Sequence, residues 1–179
     1  MGRRARGGMW LAASVIFCAT CGGAEDKIAE LQKRFDHEAN PVHRAKLLEK
    51  LGDAQFEETR RAFKANDLVT VGIVLEKYRD DARVALEGLK KKHPDAEKQP
   101  GGYRQLEIHV RRGIREVEEI LLRVPEQYQP PLQIVREDLD RMDREMIGML
   151  FRHPGDQPPP VAPASTPSPT PTPGPEEKP

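Results

Sequence analysis

Between Glu25 and His153 the chain contains no serine, no cysteine and no tryptophan. Apart from tyrosines, its only hydroxyl side chains there are Thr59 and Thr70. The usual nucleophiles of covalent catalysis are therefore missing, and both threonines fall inside expected helices, with no free N-terminal amine to activate them. The two cysteines of the chain, Cys18 and Cys21, both precede this stretch, so it can form no internal disulfide. Residues that compete with a helix for backbone hydrogen bonds are also scarce, with Asn40 and Asn66 the only asparagines. Charge of one sign is lacking as well. The stretch holds 25 Lys and Arg against 26 Asp and Glu, which gives no electrostatic reason to seek DNA or RNA.

Motifs of metal and phosphate chemistry are absent too. The histidines are His37, His43, His93, His109 and His153, and none belongs to His-Glu-x-x-His or to the Glu-x-x-His of di-iron bundles. His37 and His43 flank Asn40-Pro41 and read as solvated residues beside a turn, a spacing too loose to specify a metal geometry. Glu107-Ile-His109 places its two polar groups on different helix faces. Adjacent acids such as Asp80-Asp81, Glu118-Glu119 and Glu137-Asp138 diverge by about 100° on a helix and read as solvated faces. Gly101-Gly102 lacks the Lys-Ser/Thr of a phosphate loop. No catalytic, cofactor-binding or metal-ligating residue is assigned, and a non-enzymatic protein is expected.

What is present begins with an export signal. Arg3, Arg4 and Arg6 precede the apolar run Met9–Thr20, and the small residues Gly22-Gly23-Ala24 follow before charge returns at Glu25. A basic start, a short apolar core and a small-residue exit read as a secretory signal peptide over residues 1–24. The run spans 12 residues, too short to cross a bilayer, which takes about 20. A secreted or periplasmic protein with no membrane span after cleavage is expected. Cys21, directly after the apolar run, also admits lipidation, although Cys18 and Thr20 depart from the usual lipoprotein box.

Residues 25–153 carry the spacing of an all-α domain. Ile28, Leu31 and Phe35 make one stripe over Asp26–Ala39. Asn40-Pro41 caps and opens a second helix to Ala65, and Asn66-Asp67 turns into a third, Leu68–Lys92. Lys90–Lys92 reads as a charge cap at that helix's C-terminus. His93–Gly102 reads as a loop, Tyr103–Arg123 as the fourth helix, and the fifth runs from Pro130-Pro131 to about Phe151. The fifth carries the coiled-coil-like seam Leu132, Val135, Leu139, Met142, Met146 and Met149. The second and third helices match at roughly 37 Å and the last two at roughly 32 Å, at 1.5 Å per residue. The expected fold is an antiparallel four-helix bundle made of two helical hairpins, with a short additional N-terminal helix. Leu51, Tyr78, Val117 and Leu139 are expected in its core.

From Pro154 to Pro179 eleven of 26 residues are proline. With almost nothing apolar to bury, this tail is expected to be disordered with polyproline II character.

The segment Asn40-Pro-Val-His-Arg-Ala-Lys-Leu-Leu-Glu-Lys-Leu-Gly52 resembles uncharacterised exported bacterial α-helical proteins. The resemblance carries no activity and no functional residue. Together these features point to an envelope or secreted module acting on a protein partner, either free or held through Cys21 as a lipoprotein scaffold. A carboxylate/histidine metal-binding helical protein is the remaining alternative. The favoured contact surface is the loop His93–Gly102 with Tyr103 and Lys90–Lys92, since loops carry binding more often than scaffolds do.

Cleavage near Ala24 removes Trp10, the only tryptophan of the chain. Protein recovered from its native host should have the intact mass of a product starting near Glu25 and no tryptophan fluorescence. A product retaining residues 1–24 would remove the export reading.

Overall fold

The computed structural model describes residues 22–151, with side chains from residue 26. The expected tail, and the expected signal up to Cys21, lie outside the described residues. All regular structure among the described residues is helical: α1 (Gly22–His37), α2 (Pro41–Lys64), α3 (Leu68–Lys92), α4 (Gly101–Leu121), a 3₁₀ turn (Glu126–Tyr128) and α5 (Gln129–Leu150). No helix among these residues is long and apolar enough to cross a membrane.

Local chemistry accounts for the boundaries. Asn40 Oδ1 accepts from the backbone N–H groups of Val42 and His43, and Pro41 occupies the first turn of α2. Asn66 turns the chain out of α2 in a left-handed conformation, with φ 59°, which asparagine tolerates better than most residues. Asp67 then caps α3 by accepting from the Thr70 backbone and hydroxyl, at 3.1 and 2.7 Å. These bonds hold its carboxyl below the usual carboxylate range. Both ends of α1 and of α4 differ from expectation, each helix starting earlier and stopping two residues sooner. α1 is already helical at Gly22, the first described residue, ahead of the expected Asp26. α4 starts at Gly101 rather than Tyr103, because Gly102 and Tyr103 already pack inward.

α2 packs on α3 and α4 packs on α5. α2 also meets α4, α3 meets α5, α3 touches α4, and α1 lies on α2. The directions follow from residue pairs. Pro41 approaches Gly88 while Gly52 approaches Tyr78, so α2 and α3 run antiparallel. Arg111 pairs with Asp143 and Arg136 with Glu118, so α4 and α5 do too. Between the hairpins the neighbours run parallel. Asp53 pairs with Arg112 and Arg60 with Glu116 across α2 and α4. Arg83 pairs with Asp138 and Lys90 with Glu145 across α3 and α5. α1 runs against α2, with Phe35 under the Arg44 guanidinium near one end and Ile28 beside Glu58 near the other.

The core is one continuous cluster. Leu51, Tyr78, Val117 and Leu139 are all fully buried in it, with Phe35, Phe56, Leu86 and Tyr103. Met142 and Met146 belong to it as well, while Met149 packs at its edge. The tightest contacts surround Tyr78. A Cβ on Gly113 would stand 2.5 Å from Tyr78 Cε1, and a Cβ on Gly52 would stand 2.3 Å from His109 Cε1 and 2.9 Å from Tyr78 Cε2. The two glycines let α2 and α4 close onto the tyrosine.

Gly113→Ala should therefore cost about 1–3 kcal/mol by overpacking, overriding alanine's better helix propensity. Gly148→Ala, with nothing within 4 Å of the new Cβ, should instead gain up to ~1 kcal/mol. Urea unfolding of the two variants should give opposite signs.

Candidate functional site

Three places concentrate polar chemistry: a buried cluster at the centre of the bundle, a buried carboxylate under α1, and an open groove beside that carboxylate.

The central cluster forms where α2, α3 and α4 meet. Tyr78 and His109 are both buried. Tyr78 Oη donates to the His109 carbonyl at 3.0 Å and lies 2.9 Å from His109 Nδ1. A hydroxyl has one proton; spent on the carbonyl, it leaves the tyrosyl oxygen to accept from Nδ1–H. His109 Nε2 has no hydrogen-bond partner and faces Asp53 Oδ1 at 3.6 Å. Arg112 Nη1 stands 2.6 Å from the same oxygen, close enough for an ion pair although not aligned as a hydrogen bond. Phe56 closes the cluster, stacked on His109 at 5.6 Å and tilted on Tyr78 at 4.6 Å. Burial pushes the Tyr78 phenol up, well outside its ordinary range. Burial also pushes the His109 imidazole down, with Arg112 adding to the effect and Asp53 opposing it. Tyr78 is thus held as a neutral hydrogen-bonding strut and not as a base.

The second cluster corrects the reading of Asp80-Asp81 as a solvated face. Asp81 is buried and accepts from Lys77 Nζ at 2.5 Å, Gln55 Nε2 at 3.0 Å and Gln32 Nε2 at 3.1 Å. It joins α1, α2 and α3 through one carboxylate. Glu137-Asp138 departs from the expected pattern in the same way: Asp138 sits between Arg79, Arg83 and Arg141.

Beside Asp81 lies a groove of about 380 Å³ between α1 and the first half of α3. Ile28, Ala29, Ile73 and Val74 supply its apolar lining, with Gln32, Gln55, Glu58, Thr70 and Lys77 among them. Ile73 is 61% exposed and Val69, one turn earlier, 63%. Gln55 is almost wholly buried, yet its Oε1 makes no hydrogen bond.

The loop favoured from the sequence is anchored by a few inward groups, while Pro94, Glu97, Lys98 and Gln99 are exposed. Tyr103 is fully buried and its hydroxyl donates to the His93 carbonyl at 2.8 Å. Ala96 is buried as well, and Asp95 Oδ1 accepts from the Lys98 backbone N–H at 3.2 Å. Lys90 is held between Glu87 and Glu145 at 2.9 and 2.7 Å, contacts that raise its pKa. Tyr103 lies on the inward stripe with Leu106 and Val110, which leaves no aromatic on the loop to meet a partner. His37 and His43 do line one hollow. Among the described residues no group of three or more His, Cys, Asp or Glu could hold a metal ion.

Sequence reasoning missed His109, Asp53 and Asp81. Spacing could have found the first: 106, 109, 110, 113, 114 and 117 form one helical stripe, and His109 with Gly113 are its non-apolar members.

No protein-family model, curated protein or solved structure matches the chain.

The depressed His109 pKa carries a sign. Above the imidazole's unfolded value near 6.5 both states are neutral and no penalty applies. As pH falls below it, the unfolded chain takes up a proton that the folded chain refuses, and stability is lost. One such proton contributes a slope of up to about 1.4 kcal/mol per pH unit. Urea unfolding between pH 7.5 and 5 should show a shallower fall for His109→Gln than for the parent. Parallel curves would remove His109 as the titrating group.

Proposed function

We propose that this chain is an exported, non-enzymatic four-helix bundle, built of two antiparallel hairpins and braced by α1, that acts by protein–protein contact in the bacterial envelope or outside the cell. The export signal and the missing nucleophiles support the first half of this reading. The groove between α1 and α3 supports the second. It is apolar where it faces solvent, and it continues into the exposed Val69 and Ile73. Its occupant would be an apolar segment of a partner protein, helical in form. A face of this kind, bordered by Glu58 and Lys77, has the apolar centre and polar rim of a protein interface. The second reading is a lipoprotein scaffold held through Cys21, favoured by the place of that cysteine directly after the apolar run. Resemblance to exported bacterial helical proteins agrees with either.

A photo-crosslinker at Val69 in the native host identifies the partner. Ile73→Glu removes no core contact, so the melting temperature should stay within a few degrees while the crosslinked partner is lost. An unchanged crosslink profile would refute the groove as the contact surface.

A further inference from the structure

At the elbow between α1 and α2, away from the apolar groove, the surface opens into a hollow of about 650 Å³. Arg34, His37, His43, Lys46 and Lys50 line it, with Glu38 as the one acid. The balanced charge of the domain hides this local excess. Many surface cations are paired, as Arg60 is with Glu116, Lys90 with Glu145 and Arg123 with Glu119. Arg34, Lys46 and Lys50 make no side-chain hydrogen bond or ion pair among the described residues.

Glu38 offsets one of these charges but forms an ion pair with none of the three. Its Oε1 accepts the Asn40 backbone N–H at 2.8 Å, and its carbonyl accepts from Arg44. His37 Nδ1 lies 2.7 Å from the Lys33 carbonyl. A carbonyl only accepts, so Nδ1 carries the ring proton of this contact and Nε2 is left for another partner. Lys46 and Lys50 stand one turn apart, an i,i+4 pair of like charge that disfavours the helix. His43 to Lys50 covers about 10 Å of helix at 1.5 Å per residue, too long for one anionic group and suited to several in a row.

The geometry points to a binding site for a ligand carrying clustered phosphate groups, seated in this hollow against Arg34, Lys46 and Lys50. The lysines act as point charges, and the planar Arg34 guanidinium grips one phosphate through paired N–H groups. Clustered phosphates reach such a site from solution or from the headgroups of an anionic lipid surface, and the two sources are separable.

The full chain is titrated by calorimetry with sodium tripolyphosphate and, separately, tested for flotation with vesicles of phosphatidylglycerol diluted in phosphatidylcholine. Two triple variants are compared: Arg34→Gln, Lys46→Gln, Lys50→Gln at the elbow, and Lys27→Gln, Lys64→Gln, Arg115→Gln elsewhere. All six side chains belong to exposed residues, so circular dichroism should be unchanged in both. Binding of either probe that weakens at least tenfold in the elbow variant, and less than twofold in the matched one, supports the site and names its source. Equal weakening in both variants, or no binding of either probe, overturns it. Failure here leaves the apolar groove untouched, since no residue is shared.

Discussion

A phenol buried at the middle of a bundle constrains everything near it. Tyr78 brings a hydroxyl into the core, and an unpartnered buried hydroxyl costs free energy on the order of a few kcal/mol. His109 meets that requirement twice, through its ring and its backbone carbonyl. The imidazole then has to be buried too, beside Phe56 and within reach of Asp53. Space for the two rings comes only from the missing side chains of Gly52 and Gly113. One tyrosine on α3 thereby dictates a glycine on α2 and both a histidine and a glycine on α4. Three helices are held in one register by groups that have no alternative partner.

The ion pairs between the hairpins play a lesser part. Arg60–Glu116, Arg83–Asp138 and Arg112–Asp53 are each close to half-exposed on at least one side. Such pairs are worth about 0–1 kcal/mol each. Their contribution is to specificity: a hairpin shifted by one turn would place like charges together. Asp81 differs because it is buried with its donors supplied from α1 and α2 as well as from α3. Removing any one of them leaves a charge with less to hold it, which makes α1 an integral part of the fold.

The helices themselves were largely legible. α3 has the bounds its caps imply, and α2 ends within one residue of expectation, because Asn40-Pro41 and Asn66-Asp67 act locally. The apolar stripe on α5 was readable for the same reason, since three- and four-residue spacing is a property of one helix alone. What covers each stripe is a property of two, and periodicity does not encode it. The parallel lie of α2 against α4 was therefore not readable. Tyr103 reads as part of a contact surface because it follows a loop, although its spacing to Leu106 places it inward. Asp81 was grouped with its exposed neighbour Asp80, because a charged residue at an apolar position looks like an interruption of the stripe and not a member of it. His109 is weighed in the sequence only as a partner for Glu107, two residues away on another face, and not as a member of the α4 stripe. The candidate groove was hidden further still, since it depends on how α1 lies across its neighbours.

The direction of α1 has a topological consequence. Four alternating helices would return the chain to the end of the bundle where it began. With α1 running against α2, the described chain has five, and an odd number of passes leaves its two ends at opposite poles. Gly22 enters beside the α2–α3 turn, and Leu150 leaves beside the elbow and the α3–α4 connection. The separation between them is set by the length of α5, about 33 Å for 22 residues at 1.5 Å each. Whatever is joined to one pole is kept from whatever is joined to the other by a strut that cannot shorten without unfolding.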